Sequence, residues 1–98
     1  MLTIKEILND IDVVSLSGEQ NPLISDIEFD SRKVKESSLF IAVKGYKSDG
    51  HDFIADAVAA GATAVICQTL PEVQDKRICW VRTTDSARAL GYAASARP

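Results

Sequence analysis

Two uninterrupted apolar runs limit the folds that are open to this chain. Residues 39–43 have the sequence LFIAV, and residues 64–67 have the sequence AVIC. Neither run alternates apolar with polar residues, which is typical of strands buried on both faces between layers of helices. Between the runs, apolar residues recur at helical spacing at Phe53, Ile54, Ala57 and Val58. Gly61 is placed to end this helix and Asp49 or Asp52 to begin it, so the segment predicts a strand–helix–strand unit with parallel strands.

The segments around this unit have patterns of their own. Thr3 and Glu6 fit a capping box that opens a first helix of about three turns. Further strands are expected at residues 13–16, 24–29 and 78–81. Thr84 or Asp85 is expected to cap a last helix, whose apolar face is predicted to comprise Ala87, Leu90, Ala93 and Ala94. The order of elements predicts an α/β fold, a three-layer sandwich with a mixed, mostly parallel sheet, in a single domain that spans residues 1–98.

Composition argues against several classes of function. The chain has 98 residues, of which 46% are hydrophobic and 26% charged, as in an ordinary globular domain. Its net charge is −3 and its only basic cluster is Arg32, Lys33 and Lys35, so no nucleic-acid partner is expected. No apolar run approaches the roughly 18–20 residues that span a bilayer, and the N-terminus lacks the features of a signal peptide. We expect no membrane partner, a cytoplasmic location, and core packing rather than a disulfide for Cys67 and Cys79.

The residue patterns of a complete catalytic site are missing from the sequence. His51 is the one histidine, no cluster of metal ligands is present, and the glycines form neither a dinucleotide fingerprint nor a P-loop. We therefore expect no catalytic residue, no metal ion and no cofactor in this chain. His51 is expected to be a loop histidine near a helix start, and pairing with Asp49 or Asp52 is the alternative.

Two polar loops that follow neighbouring strands form the candidate site. Residues 24–29 alternate like a strand with one wet face and lead into residues 30–32, whereas the buried run 39–43 leads into residues 44–48. Ligands of open α/β sheets bind at the carboxyl ends of the strands. If the two strands are parallel neighbours, both loops open on one edge of the sheet.

The side chains of these loops suit a nucleotide that lacks a triphosphate. They offer hydroxyls, a close backbone approach, a ring for stacking and two cations for phosphate, from Ser31, Ser48, Gly45, Tyr46, Arg32 and Lys47. Ordinary turns use the same residue types, which is the alternative explanation of these loops. Arg32 in particular is equally suited to hold Asp30 or a backbone carbonyl.

The order and spacing of these motifs resemble the first domain of the Mur ligase family. The matching stretches run from about residue 24 to residue 95 and comprise Asp30-Ser31-Arg32, residues 39–45, residues 49–54, the alanine-rich helix, residues 61–65, Leu70-Pro71 and Asp85-Ser86. The Asp-Ser-Arg triplet and Leu70-Pro71 favour the branch that adds the third residue of the peptidoglycan stem peptide. The sister branch, which acts on the tripeptide, is the nearest alternative, and a non-catalytic interaction domain that reuses the fold is another.

The resemblance implies that the chain is a substrate anchor. In this family the first domain binds the UDP end of the substrate, the second binds ATP and the third binds the incoming amino acid. The implied ligand is UDP-N-acetylmuramoyl-L-alanyl-D-glutamate, and ATP and Mg²⁺ are implied only for the full-length enzyme. There, an acyl phosphate forms on the D-glutamate carboxylate and the amine attacks it.

The family's UDP contacts can be carried over to individual residues of this chain. They fall on Phe29, on Ser31 and on the loop triplet Tyr46, Lys47 and Ser48. The supporting residues implied by the same motifs are Asp30, Arg32, Gly45, Asp49, Gly50 and His51.

Two departures from the family pattern bear on these expectations. The Pro-Gly turn that usually follows the Asp-Ser-Arg triplet is replaced by Lys35-Glu36-Ser37-Ser38. The sequence also ends at Arg97-Pro98, where the family continues with an aromatic pair and a P-loop. We therefore expect a piece that lacks the ATP-binding and C-terminal domains, is inactive alone, and has those domains as partners in one enzyme.

Overall fold

A five-stranded sheet organises the chain. The computed structural model describes residues 1–96. Arg97 and Pro98, on which the expectation of a truncated piece was based, lie outside the described residues. Its elements are β1 Leu2–Thr3, α1 Ile4–Ile7, β2 Val13–Gly18, β3 Leu23–Ile24, β4 Asp26–Glu28, β5 Ser38–Ile41, α2 Ile54–Ala60, β6 Ala64–Cys67, β7 Cys79–Thr83 and α3 Ser86–Ser95. The strand order is β2-β7-β6-β5-β4, and β1 pairs with β3 in a separate small sheet.

The predicted strand–helix–strand unit is confirmed. Strands β5 and β6 are parallel neighbours, with Leu39 opposite Ala64, and α2 connects them. The β4–β5 and β6–β7 pairs are also parallel, whereas β2 runs antiparallel to β7 at the edge of the sheet. The sheet is therefore mixed and mostly parallel, as the sequence predicts.

Both faces of the central strands are covered, which gives the three layers. On one face, residues such as Leu39 and Ile41 pack with α1 and α3 in a core that includes Ile4, Ile7, Ala89 and Ala93. On the other face, Phe40 and Val65 pack with α2 in a core that includes Ile54 and Ala57. Every residue of β5 and of β6 is buried, as continuous apolar runs predict for strands between helix layers.

The N-terminal helix is shorter than predicted. Its cap is confirmed, because the Thr3 hydroxyl oxygen accepts a hydrogen bond from the Glu6 N–H at 3.3 Å. After Ile7 the chain tightens into one 3-10 turn, Leu8–Asp10, and then leaves for β2. This shorter path already buries Ile4, Ile7 and Ile11 in the core, so a third full turn is not needed.

The strand expected at residues 24–29 is divided. Ile24 belongs to the small sheet and residues 26–28 belong to the main sheet, because the Ser25 N–H bonds to the Ser37 carbonyl at 2.9 Å. The strand ends before Phe29, so the Phe29 side chain does not share the covered face of Ile27 and is 62% exposed.

The last helix is confirmed, with a different buried face. Asp85 is its cap, since a carboxylate oxygen accepts from the Arg88 N–H at 3.0 Å. The residues buried against the sheet are Ser86, Ala89 and Ala93, with Leu90 partly buried. Ala87 and Ala94 are exposed, so the predicted face was wrong at these two positions.

The turn that replaces the family's Pro-Gly sequence has an unusual backbone. The Ser38 N–H bonds to the Lys35 carbonyl at 3.1 Å, and Ser37 in this turn has φ +67°. Such a value is required at the third residue of a type II turn, where glycine is the usual choice. Gly61, at the end of α2, lies against the same turn and its carbonyl accepts from the Ser37 N–H at 3.0 Å.

The cysteines lie in the core, as predicted. Cys67 and Cys79 are fully buried free thiols on the neighbouring strands β6 and β7. Burial raises the pKa of each thiol to about 11, which makes them poor nucleophiles. As for membranes, none of the helices within residues 1–96 combines the length and the apolar character that crossing a bilayer requires.

We predict opposite effects for alanine at two glycines. Gly61 has φ +118°, and a Cβ there would lie 2.8 Å from the Cα of Glu36, so Gly61→Ala should destabilise the fold by roughly 1–3 kcal/mol. Gly91 lies inside α3 with nothing within 4 Å of its added Cβ, so Gly91→Ala should stabilise the fold by roughly 0.5–1 kcal/mol. Urea denaturation measures both changes. Equal effects of the two substitutions would contradict the assigned backbone at Gly61.

Candidate functional site

The two polar loops lie side by side at the carboxyl edge of the sheet. Strand β4 pairs in parallel with β5, with Ile27 opposite Leu39, so the loops that follow them open on the same edge. Between the loops lies a cavity of about 600 Å³. Its lining residues are Phe29, Asp30, Ser31, Arg32, Phe40, Val43, Gly45, Ser48, Gly50 and Phe53. This volume lies within the range of small-molecule sites.

The structure brings most of the sequence-predicted site residues together at this cavity. Seven line it: Phe29, Asp30, Ser31, Arg32, Gly45, Ser48 and Gly50. Four do not, namely Tyr46, Lys47, Asp49 and His51. Three lining residues were not predicted for the site: from the sequence, Phe40 and Val43 were assigned to a buried strand and Phe53 to the helix that follows. The signal that could have identified Phe53 is its position, directly after the polar loop and before the helix proper.

A partly buried polar cluster holds the edge strand in place and so positions the first loop. The Asp26 carboxylate on β4 accepts a hydrogen bond from the Ser38 hydroxyl on β5, and Lys35 Nζ lies 3.2 Å from its other oxygen. Burial acts to raise the pKa of Asp26, but the hydrogen bond from Ser38, the contact with Glu28 and the positive charge of Lys35 outweigh it, and the pKa is lowered. Burial and the nearby Asp26 carboxylate raise the pKa of Glu28.

The first loop is a tight turn that is closed by an ion pair. Residues Ser31–Lys33 form one 3-10 turn, and Asp30 caps it by accepting the Arg32 N–H at 3.0 Å. The guanidinium of Arg32 also grips the carboxylate, with Nε 3.0 Å from Oδ1 and Nη2 2.8 Å from Oδ2. The side-chain and backbone hydrogen bonds from Arg32 lower the pKa of Asp30 to about 2. The alternative in which Arg32 holds Asp30 is thus confirmed.

The same local unit occurs a second time, outside the cavity lining. Asp75 accepts the Arg77 N–H at 2.9 Å, and Arg77 Nη2 lies 2.8 Å from Asp75 Oδ2. The bonds from Arg77 lower the pKa of Asp75 to about 2 as well. An Asp-x-Arg turn is therefore a general way to close a loop. The Asp30–Arg32 turn is a candidate for ligand binding only because it lines the cavity.

The second loop is a small hairpin, here called the site hairpin and comprising residues 43–50. Its base is closed by the Gly50 N–H on the Val43 carbonyl at 2.9 Å, and its end by the Gly45 N–H on the Ser48 carbonyl at 2.8 Å. Lys44 and Asp49 form the bridge between these bonds. A side chain at Gly50 would meet the Val43 backbone nitrogen at 2.7 Å, so glycine is required there.

The hairpin geometry separates the predicted loop triplet. Gly45 and Ser48 stand where the turn closes and line the cavity. Tyr46 and Lys47 lie at the tip, and both are exposed to solvent. Neither residue lines the cavity, so either would contact a bound ligand only from the hairpin tip.

His51 connects the base of the site hairpin with the loop that follows β6 and begins at Gln68. Its ring Nδ1 lies 2.7 Å from Asp49 Oδ1, and its Nε2 accepts the Gln68 N–H at 2.9 Å. Asp49 also accepts the His51 backbone N–H at 2.9 Å, so Asp49 rather than Asp52 caps the 3-10 turn Gly50–Phe53. The backbone and side-chain bonds from His51 lower the pKa of Asp49. His51 is thus a loop histidine near a helix start, as expected, and it is also paired with Asp49.

The exposed rings, hydroxyls and guanidinium around the cavity are suited to binding and orienting a ligand. Across residues 1–96, no three His, Cys, Asp or Glu side chains are grouped so that they could hold a metal ion. The sequence has no P-loop to cradle a triphosphate. ATP and Mg²⁺ therefore do not fit the residues present.

Comparison with known proteins identifies the relatives of this chain. The family model described as "Mur ligase family, catalytic domain" matches residues 23–97. A UDP-N-acetylmuramoyl-L-alanyl-D-glutamate--2,6-diaminopimelate ligase from Cytophaga hutchinsonii is 46% identical over 95 residues, which is 96% of this chain and 20% of that enzyme. The enzyme of the same name from Bacteroides fragilis is 38% identical over 94 residues, or 96% of this chain and 19% of that enzyme. The chain thus spans about a fifth of the length of these relatives.

Solved structures show the same fold. MurF from Acinetobacter baumannii superposes with a TM-score of 0.77 at 23% identity, covering 96% of this chain and 20% of that one. The MurF ligase of Thermotoga maritima in complex with ADP superposes with a TM-score of 0.62 at 33% identity, over 70% of this chain and 16% of that one. These likenesses support the α/β sandwich and the mixed sheet.

We predict that the low pKa of Asp30 depends on Arg32. In the wild type the pKa is about 2 and lies below the unfolded value near 3.9, so the contribution of this ion pair to stability is present above about pH 4 and is lost as the pH falls towards 2. Arg32→Ala should raise the Asp30 pKa towards the free value of about 3.9 without reaching it, because the backbone N–H of residue 32 still donates to the carboxylate. Carboxyl ¹³C shifts in an NMR titration measure this, with Asp75 as the internal control. An unchanged Asp30 pKa in the variant would refute the assignment.

Proposed function

Since the chain belongs to the Mur ligase family, we propose that it anchors the UDP end of UDP-N-acetylmuramoyl-L-alanyl-D-glutamate in an ATP-dependent ligase. One observation carries this proposal. The loops onto which the family's UDP contacts fall, residues 29–32 and 45–48, border a single cavity at the carboxyl ends of two parallel strands. That edge is where open α/β sheets bind their ligands.

Aromatic rings and hydroxyls around the cavity suit a uridine. The rings of Phe29 and Phe53 line the cavity, and both are exposed large hydrophobic side chains, 62% and 39% exposed. Exposed rings beside a cavity provide faces for stacking a base. Ser31 and Ser48 also line the cavity, and within residues 1–96 neither hydroxyl is engaged in a hydrogen bond, so each is free to donate and accept. We assign the base and ribose contacts to these four side chains.

Cations near the cavity suit the diphosphate. Arg32 grips Asp30 through Nε and Nη2 only, and its side chain is 87% exposed, so Nη1 remains for an anion. Asp30 thereby aims the guanidinium as well as closing the turn. Lys47, at the tip of the site hairpin, is a second exposed cation and suits a phosphate as a point charge. We infer that Tyr46 covers the ligand from the same tip.

The anchor would act on the reaction from a distance. In the proposed whole enzyme, the carboxylate that is activated lies at the far end of the substrate from the UDP group. Binding energy gained at a remote group can be used to hold the reacting end in position, which favours catalysis. The ATP-binding and C-terminal domains, with ATP and Mg²⁺, would supply the chemistry, and this chain alone would be inactive. A cytoplasmic location agrees with a nucleotide-linked substrate.

We assign the chain to MurE, the branch that adds the third residue of the stem peptide. The relatives with the dipeptide ligase name are 46% and 38% identical over nearly the whole chain, and this supports the assignment. MurF is the second candidate, favoured by its close superposition, but at 23% identity that superposition reflects the shared fold. Activity of the complete ligase on the UDP-linked dipeptide rather than the tripeptide distinguishes the two branches. Binding of neither would favour a non-catalytic domain.

An NMR titration of the ¹⁵N-labelled chain tests the anchor directly. The ligands are UDP-N-acetylmuramoyl-dipeptide and UDP, with ATP as the comparison. Amide shifts that cluster at residues 29–32 and 45–51 with the two UDP ligands, and smaller shifts with ATP, are expected. Shifts of equal size with all three ligands, or shifts spread over the surface, would refute the proposal.

We predict that three substitutions at the cavity weaken binding without unfolding the chain. Loss of a stacking ring costs roughly 1–3 kcal/mol, so Phe29→Ala should raise the Kd for the UDP ligand roughly 5- to 150-fold. Ser31→Ala and Tyr46→Ala should each raise it by a smaller factor, because a hydroxyl bond contributes about 1 kcal/mol and the Tyr46 ring is fully exposed outside the cavity lining. Isothermal titration measures the Kd, and circular dichroism checks the fold.

Tyr92→Ala is the matched control for these variants. Tyr92 is a partly exposed ring on α3 whose contact is with Arg88 and which does not line the cavity. Its loss should leave the Kd unchanged. Equal affinity of wild type, Phe29→Ala and Tyr46→Ala would rule out the assigned uridine site.

A further inference from the structure

We propose that His51 is a positioning residue that fixes the site hairpin to the start of α3 through Gln68, so that the shape of the cavity and the N-terminus of α3 change together. The ligand-binding part of this inference rests on the proposed function, whereas the link itself does not. It is carried by hydrogen bonds that run along the carboxyl edge of the sheet, from β5 past β6 to α3.

The partners of His51 require one protonation state of its ring. Nε2 accepts the Gln68 N–H at 2.9 Å, with the Thr69 N–H at 3.4 Å, so Nε2 carries no proton. The ring proton is therefore on Nδ1, which donates to Asp49 Oδ1 at 2.7 Å. The side chain is only 16% exposed, so water cannot easily replace either partner. A neutral ring with its proton on Nδ1 satisfies both loops at once.

Gln68 forms hydrogen bonds both to His51, beside the cavity, and to Ser86, at the start of α3. Its backbone N–H binds His51, and its backbone carbonyl accepts from Arg82 Nε at 3.0 Å. Its side-chain Oε1 accepts from the Ser86 N–H at 2.9 Å and from the Ser86 hydroxyl at 3.1 Å. Ser86 is the first residue of α3 and is fully buried. Backbone and side chain of one residue thus hold three elements together.

The burial of Ser86 makes this link stiff. If Gln68 moved away, two buried donors of Ser86 would lose their acceptor, and buried unpaired donors are costly. The Gln68 carbonyl is also bound by Arg82 Nε, which restricts movement of the residue whose N–H donates to His51. His51 in turn holds Asp49, which bridges to Lys44 across the site hairpin. A ligand that moves the hairpin must therefore disturb Gln68 and the start of α3.

The Asp75–Arg77 turn shows that this link is not a general property of such turns. Its aspartate and basic side chain bind each other in the same way, but Arg77 has no further side-chain partner among the described residues. His51 has the local bond to Asp49 and the long-range bond to Gln68. The bond from the Gln68 N–H to His51 shows that His51 links two distant loops in addition to closing its own turn.

Two substitutions separate the two bonds of the ring. In His51→Asn the amide can still donate to Asp49, but the side chain is too short to reach Gln68. In His51→Gln the longer side chain can offer its oxygen to the Gln68 N–H. Asp52→Asn, at an exposed neighbour in the same 3-10 turn, is the matched control. Gln68→Ala removes the bond to Ser86 and keeps the backbone N–H that binds His51.

The first readout needs no ligand. In the wild type, ring ¹⁵N shifts should show a protonated Nδ1 and an unprotonated Nε2, and the Gln68 amide should exchange slowly with solvent. In His51→Asn the Gln68 amide should exchange faster and the amides of residues 86–89 should shift, with partial recovery in His51→Gln. In Gln68→Ala the ring signature should persist while residues 86–89 shift. A protonated Nε2 in the wild type, or unchanged amides at 86–89 in His51→Asn, would overturn the link.

The second readout uses UDP-N-acetylmuramoyl-dipeptide. In the wild type, binding should shift the amides of residues 86–89 as well as those of the cavity loops. His51→Asn should raise the Kd roughly 5- to 150-fold, the range of coupling between two sites, with recovery in His51→Gln and no change in Asp52→Asn. Wild-type Kd in His51→Asn would overturn the positioning role. If the wild type binds no UDP ligand, the proposed function fails, and the ligand-free experiment still decides the link.

Discussion

The parallel pairing of β4 with β5 is the interaction on which the candidate site depends. Strand β4 has only three residues and lies at the edge of the sheet, so its few backbone hydrogen bonds to β5 stabilise its position only weakly. The buried bond between Asp26 and Ser38, with Lys35 beside it, secures the register across this pair. Because that register is fixed, the loop that begins at Phe29 faces the site hairpin, and a cavity exists between them.

Rigid Asp-capped turns give the two loops their shape, and they do so with the same chemistry at three places. Asp30, Asp49 and Asp75 each accept the backbone N–H two residues later and a bond from the side chain of that residue. This repeated unit explains why the loops are so polar without any appeal to a ligand. What sets the first two apart is their location beside one cavity, and for the second also the bond from His51 to a distant loop.

Much of the fold could be predicted from the sequence, because the apolar runs and caps act locally. The buried strands, the end of α2 at Gly61 and the cap of α3 follow from such patterns. The break at Ser25 could not be predicted, because it depends on a bond to Ser37 twelve residues away. At the site, the two loops were found by their position after strands. The placement of Tyr46 beyond the cavity depends on how the site hairpin closes, which residue types alone do not determine.

The base and the tip of the site hairpin would have different parts in the proposed anchor, because the base is closed by backbone hydrogen bonds and the tip is exposed. Gly45, Ser48 and Gly50 are fixed by backbone bonds, so the floor of the cavity is formed before a ligand arrives and little ordering entropy is lost there. Tyr46 and Lys47 are free in solvent and can adapt when the ligand is in place. If the chain anchors a long substrate, as proposed, a preformed floor would help to keep the distant reacting group in position. The ring of His51 supports the base of the site hairpin through its bonds to Asp49 and Gln68.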